Sequence, residues 1–279
     1  MFTFLGTSAA DQYPGLWCSC ENCNKARQAG GRNIRLNSSA ALGAHTLIDF
    51  GPAIPIQLAK CGLSLLAVEE LLITHAHDDH FFPWYLRWRL FKEGGGGPAV
   101  TKPLPLVVYG NERVKELTLA AVKNDLLGHG LEIVVLKPWE TVTTKYVRCT
   151  PILANHDFRQ ECFNFILEYK GKTILYAVDT AWFLPQAREF LTSYRFDLVV
   201  MEGTYGFKNN YDDTAPGHAG FDTNKRAREW LLAADLIDES TTFAITHISP
   251  HDAPPHEECA SLLKKWGLTL AYDGLQIEL

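Results

Sequence analysis

The chain has 279 residues, 47% hydrophobic and 21% charged, with a formal net charge of −6. That composition matches a folded chain able to bury a sizeable core, and the length suits one large α/β layer fold. The acidic balance argues against a general nucleic-acid binder, which carries a basic face, but not against a small anionic substrate at a metal site.

Read in order, apolar and β-branched runs predict strands at Phe2–Leu5 and His45–Phe50, then a helix at Ile54–Cys61. A strand at Glu70–Thr74 leads into a helix at Asp79–Lys92, which carries Trp84 and Trp88 and ends at the glycines Gly94 to Gly97. That glycine stretch reads as a surface loop, with a lid as the alternative. A strand at Leu104–Tyr109, a helix at Glu112–Leu127 and strands at Glu132–Leu136, Lys145–Leu153, Phe163–Tyr169 and Thr173–Val178 follow. The remainder alternates, with helices at Pro185–Tyr194, Asp222–Ala234 and His256–Trp266 around strands at Leu198–Met201 and Thr242–Thr246. No linker divides the chain, so one domain over residues 1–279 is expected, with a small insertion at about 16–35. Met1 to Thr7 lacks a basic region, and no apolar run is long enough to span a bilayer, so the expectation is a cytoplasmic protein without a membrane partner.

The strongest local signal is Thr74-His75-Ala76-His77-Asp78-Asp79-His80, directly after the apolar strand. A strand end turning into a tight loop points several of these side chains into one space. Imidazole nitrogen and carboxylate oxygen suit zinc, iron or manganese. Further donors sit at later strand ends: His156 after Leu153, Asp179 after Val178 and His247 after Thr246. Functional groups gather where the strands of α/β sheets finish.

This run, followed by strand-end His, Asp and His in that order, resembles the metallo-β-lactamase superfamily over nearly the whole chain. The resemblance implies an α/β (α+β) fold, the four-layer αββα sandwich, with metals between two facing sheets. It also implies that His75, His77 and His156 bind one divalent cation and that Asp79, His80 and His247 bind a second. Asp179 then bridges both, and a bridging water or hydroxide completes the site. Paired cations make hydroxide available near neutral pH and neutralise charge on the attacked group.

Seven cysteines are present, three of them clustered in Cys18-Ser19-Cys20-Glu21-Asn22-Cys23. Thiolates so close repel one another unless a soft cation binds them, which predicts a structural zinc. The candidate fourth ligand is His251, one loop beyond His247. A C-x-C-x-x-C segment beside lactamase-type ligands resembles a narrower branch. That branch holds the phosphoribosyl cyclic phosphodiesterases of the carbon–phosphorus lyase pathway (PhnP-like) and related proteins of pyrroloquinoline quinone synthesis. In those phosphodiesterases the last zinc ligand lies three residues past the final metal His; here Pro250 holds that place and His251 follows it.

His218, in the loop Ala215-Pro216-Gly217-His218-Ala219-Gly220, precedes a helix. The matching loop of phosphodiesterases in this superfamily carries a His that protonates the leaving alkoxide, which implies that role for His218, with Asp79 the other candidate catalytic residue. An unperturbed imidazole titrates near neutrality, as a general acid requires. The leading expectation is therefore a phosphodiesterase acting on a small cyclic or nucleotide-like phosphodiester, not on long nucleic acid. Hydrolysis of a carboxylic ester, lactone or thioester is the second reading, and an accessory metal protein of cofactor biosynthesis (PqqB-like) the third. A homodimer is left open.

Overall fold

The computed structural model describes residues 1–90, 104–208 and 211–279, so the glycines Gly94 to Gly97 lie outside the described residues. Among the described residues two seven-stranded sheets organise the chain, the first built from the N-terminal half plus the last strand and the second from the rest of the C-terminal half. The first holds β1 (Phe2–Gly6), β2 (Ser39–Leu42), β3 (Thr46–Ile48), β4 (Glu70–Leu72), β5 (Leu106–Gly110) and β6 (Leu131–Val135), and ends at β14 (Gln276–Ile277) beyond β1. The second runs in chain order from β7 (Val142–Thr143) through β8 (Arg148–Leu153), β9 (Phe163–Tyr169), β10 (Lys172–Ala177), β11 (Leu198–Glu202) and β12 (Thr242–Thr246) to β13 (Thr269–Leu270). Each sheet is antiparallel in one half and parallel in the other, the parallel runs being β3 to β6 and β10 to β13.

Three apolar layers account for the stacking. Phe2, Phe4, Leu42, Ile48 and Leu72 of the first sheet meet Phe163, Phe165, Leu167, Tyr176 and Val200 of the second in a buried inter-sheet core. The outer face of the second sheet, including Leu175, Val199 and Ile245, packs on α4 (Pro185–Leu191), α5 (Phe221–Ala233) and α6 (His256–Lys264). Leu47, Leu71 and Val108 on the outer face of the first pack on α2 (Ile54–Lys60) and α3 (Glu112–Ala121). The order helix, sheet, sheet, helix is the four-layer α/β sandwich. Among the described residues no helix is long and apolar enough to cross a membrane.

The helix expected at Asp79–Lys92 does not form as such. Phe50 N–H donates to the His80 carbonyl at 2.7 Å, and Phe82 N–H donates to the Phe50 carbonyl at 2.7 Å. Residues 80–82 are thereby committed to a bridge with the β3 end, after a single turn closed by Phe81 N–H on the His77 carbonyl at 2.8 Å, and the helical stretch that follows is a 3₁₀ turn over Pro83–Arg89. Residues 91 and 92 lie outside the described residues. The expected insertion contains α1 (Glu21–Ala29), which sequence reading left unassigned.

Candidate metal centre

The donors come from both sheets. His75, His77, Asp79 and His80 follow β4 of the first, while His156, Asp179 and His247 follow β8, β10 and β12 of the second. Asp179 and His247 take left-handed backbone conformations, φ 57° and 55°, as does Asp49 at the end of β3, φ 62°. Such conformations cost a non-glycine residue about 1–3 kcal/mol and persist where surrounding structure imposes them. Gly51 is required next to the run, since any side chain there would collide with the carbonyl oxygen of Asp79.

All seven donors converge. His75 Nε2 lies 2.9 Å from His77 Nδ1, which lies 3.2 Å from His156 Nε2. His80 Nε2 and His247 Nε2 are 3.2 Å apart, with Asp79 Oδ2 at 3.3 and 3.5 Å from them. Between the two groups sits Asp179, whose Oδ2 is 3.4, 3.2 and 3.3 Å from Nε2 of His75, His80 and His156. Its Oδ1 is 2.9 Å from His247 Nε2, yet that buried oxygen has no aligned hydrogen-bond donor. Donors held on one zinc at about 2.0–2.1 Å stand roughly 3–3.5 Å apart, so these spacings suit shared cations.

The outward nitrogens determine which lone pairs face in. His156 Nδ1 donates to the Gly217 carbonyl at 3.0 Å, His80 Nδ1 to Asp49 Oδ2 at 2.7 Å and His77 Nε2 to Asp157 Oδ2 at 3.1 Å. His75 and His247 are oriented through threonines. Thr74 Oγ1 donates to Asp49 at 2.9 Å and accepts from His75 Nδ1 at 3.0 Å. In the same way Thr204 Oγ1 donates to Glu202 and accepts from His247 Nδ1 at 2.8 Å. Every ligand imidazole therefore turns its other nitrogen to the centre, the arrangement that orients metal ligands. Such lone pairs repel one another unless a proton or a cation lies between them.

Charge agrees with this. Burial and the neighbouring His80 push His75 down to about 3, so its ring stays neutral and free to ligate. Burial opposes charge on His247 too, but Asp179 and Asp79 outweigh it and push His247 up to about 10. Buried carboxylates thus outnumber the fixed positive charges, and an incoming cation displaces the protons held on these rings. The residues fit a pair of divalent ions.

His218 lies beside this cluster in the same cleft, its ring 4.8 Å from that of His156 and 5.7 Å from that of His247. His218 Nδ1 donates to Glu202 at 2.9 Å, and against the cost of burial the charge of Glu202 raises its pKa above the ordinary histidine value. The cleft encloses about 280 Å³.

The sulfurs of Cys18, Cys20 and Cys23 lie within 4.8 Å of one another at the start of α1. Cys18 Sγ accepts from Cys20 N–H at 3.4 Å and Cys23 Sγ from Gly15 N–H at 3.2 Å, bonds that suit thiolates. Burial pushes Cys23 up to about 12, so its proton leaves in exchange for a cation. His251 is not brought into that group. Its Nε2 lies instead 3.2 Å from Asp11 Oδ2, although the carbonyl of its neighbour Pro250 accepts from Asn22 Nδ2 at 2.9 Å.

Sequence reasoning missed Asp49 and Glu202, the two fully buried acids behind the ligands. Both carry the signal that singled out Asp179: Leu47-Ile48-Asp49 and Val200-Met201-Glu202 are strand ends finishing in a carboxylate.

Two facing sheets with a caged His/Asp cluster at their carboxyl ends define a metal-dependent hydrolase of metallo-β-lactamase type. The model of the β-lactamase superfamily domain matches residues 46–248, and the chain belongs to that family. A ribonuclease Z from Leuconostoc mesenteroides subsp. mesenteroides is 37% identical over 79 residues, 28% of this chain; the match spans 23% of that relative's length. A solved structure of a diphosphatase from the PhnP family is similar with a TM-score of 0.74 at 22% identity, covering 98% of this chain and 94% of that one. Zinc-bound PqqB from Methylobacterium extorquens follows at 0.70 and 17%, covering 100% and 99%. The short form of human tRNase Z reaches 0.66 at 19%, covering 99% and 98%. At these identities the likenesses establish the fold.

Proposed function

We propose that this chain is a dinuclear phosphodiesterase that cleaves a small cyclic or nucleotide-like phosphodiester. The observation that carries this reading is the His218–Glu202 pair, an imidazole hydrogen-bonded to a buried carboxylate that raises its pKa, held at the edge of the ligand cage. Hydrolysis of a thioester gives that pair no task, because a thiolate leaves without needing a proton; a lactone also releases an alkoxide, so the substrate panel separates that reading. The acidic balance of the chain favours a small substrate over long RNA.

His75, His77 and His156 would hold one ion, Asp79, His80 and His247 the other, with Asp179 shared. Zinc, manganese or iron in these positions supplies Lewis acidity and a water acidified to near neutrality. Asp79, the most accessible carboxylate of the cage, lines the cleft and orients the attacking water. His218 donates the proton that the departing alkoxide needs, and Glu202 is a positioning residue that keeps its Nδ1–H turned away from the substrate and its charge in place. A structural zinc is assigned to Cys18, Cys20 and Cys23. His251, expected as the fourth donor, lies instead with its Nε2 3.2 Å from Asp11 Oδ2 and outside the sulfur group.

A panel of phosphodiesters, phosphomonoesters, lactones and thioesters assayed with metal-loaded protein tests this. His218→Ala should lower turnover of alkyl phosphodiesters by about 10²–10⁴-fold, the usual contribution of a general acid. The loss should be smaller for p-nitrophenyl leaving groups, which need no proton. Because Glu202 raises the His218 pKa, activity is present below that pKa and falls as pH rises through it. Glu202→Gln should therefore move the alkaline limb of the pH profile to lower pH. Unchanged alkyl diester turnover in His218→Ala would remove His218 from the reaction.

A further inference from the structure

The outer wall of the cleft is built by Ala9, Ala10, Asp11 and Ser249. Asn37 Nδ2 donates to the carbonyls of Ala9 and Ala10 at 3.3 and 3.2 Å, and Ala9 N–H donates to the Ile248 carbonyl at 3.2 Å. The wall is thus fastened to the residue next to the ligand His247. Its two alanines leave open space, and its one charged group is Asp11. That carboxylate is fixed from two directions, by His251 Nε2 at 3.2 Å and by Ser249 Oγ at 3.4 Å, while its side chain remains 37% exposed.

No lysine or arginine lines this cleft among the described residues. Arg159, on the loop after His156, is taken up by Asp157, with Nε 2.9 Å from Oδ1 and Nη2 2.9 Å from Oδ2. Lys208 lies over the Tyr205 ring at 4.6 Å and does not line the cleft. No lysine or arginine among the described residues therefore offsets the Asp11 carboxylate on this wall. At about 280 Å³ the space falls just under the ~300–1,000 Å³ usual for small-molecule sites, so one phosphate and one compact organic group fill it.

We propose that Asp11 is a specificity-determining residue that reads the organic part of the substrate. It accepts hydrogen bonds from hydroxyls of a sugar-like or polyol group and repels a second phosphate. The substrate class is then a singly phosphorylated diester of a hydroxylated alcohol, not a diphosphate or a bis-phosphorylated sugar. This rests on the phosphodiesterase reading above.

Three diesters sharing a p-nitrophenyl leaving group test it, with propyl, 2,3-dihydroxypropyl and 2-hydroxy-3-phosphopropyl as the other substituent. The metal-loaded protein should prefer the dihydroxypropyl ester over the phosphopropyl ester by about tenfold or more in kcat/KM, the scale of a like-charge contact across a partly screened cleft. Asp11→Asn should collapse that ratio toward one, and Ser249→Ala, which frees the carboxylate on one side, should narrow it. Preference for the phosphopropyl ester by the wild type, or an unchanged ratio in folded Asp11→Asn, overturns the assignment. The wild-type order needs no variant, so it decides the matter even where Asp11→Asn does not fold. Failure to cleave any of the three would instead defeat the phosphodiesterase reading itself.

Discussion

Asp49 does more than any single ligand to arrange the centre. Fully buried, it accepts directly from His80 and, through Thr74, orients His75. By the ligand partition above, these two histidines serve different ions, so one carboxylate supports both positions. Asp49→Asn keeps the shape and removes the charge. It should weaken binding of both cations by about 10–100-fold, measured by chelator competition, as loss of such supporting groups does at metal sites. Loss confined to one ion would show the partition to be wrong. Glu202 repeats the pattern in the second sheet, holding His218 directly and His247 through Thr204. The ligands are legible in the sequence because histidines are scarce and cluster conspicuously between Thr74 and His80. Their supporting acids are not, because Asp49 and Glu202 each stand alone among apolar neighbours and acquire meaning only when distant strands lie side by side. His251 marks the opposite limit, since spacing alone cannot say whether a loop histidine faces a sulfur triad or Asp11.

At the scale of elements, the strands with long apolar runs are readable, β9 to β12 most clearly, with ends within a residue or two of expectation. β2 escapes because Ser39-Ala40-Ala41-Leu42 is made of small residues without β preference, buried on both faces by its neighbours. The stretch after Asp79 misleads in the other direction: its local pattern favours a helix, but hydrogen bonds to Phe50 claim its first turn. α1 owes its place to the sulfur cluster at its start, to which its own Cys23 belongs, and to the buried Ala26. Cys20→Ser should therefore cost about one equivalent of tightly held zinc per chain, by elemental analysis, since structural sites need all four ligands. Proteolysis should quicken between Gly15 and Ala29 while the sheets stay protected.

For the molecule as a whole, the inter-sheet core sets stability. Phe165 is wholly buried on β9, which is paired on both sides, by β8 and β10. Phe165→Ala should lower the free energy of unfolding by about 3–5 kcal/mol, read from the denaturant midpoint, as large-to-small changes in rigid cores do. The donors, however, are divided between the sheets, four from the first and three from the second. An ion bound there would consequently act as a rivet through the sandwich, adding to the apolar core and to hydrogen bonds such as Phe163 N–H on the Thr74 carbonyl and Ile248 N–H on the Thr7 carbonyl. Since unfolding scatters the ligands, every tenfold rise in free metal above its dissociation constant adds about 1.4 kcal/mol per occupied position. Heat tolerance should thereby follow the supply of trace metal in the surrounding medium, and a preparation stripped by chelator should fail at a lower temperature without any change in its amino acids.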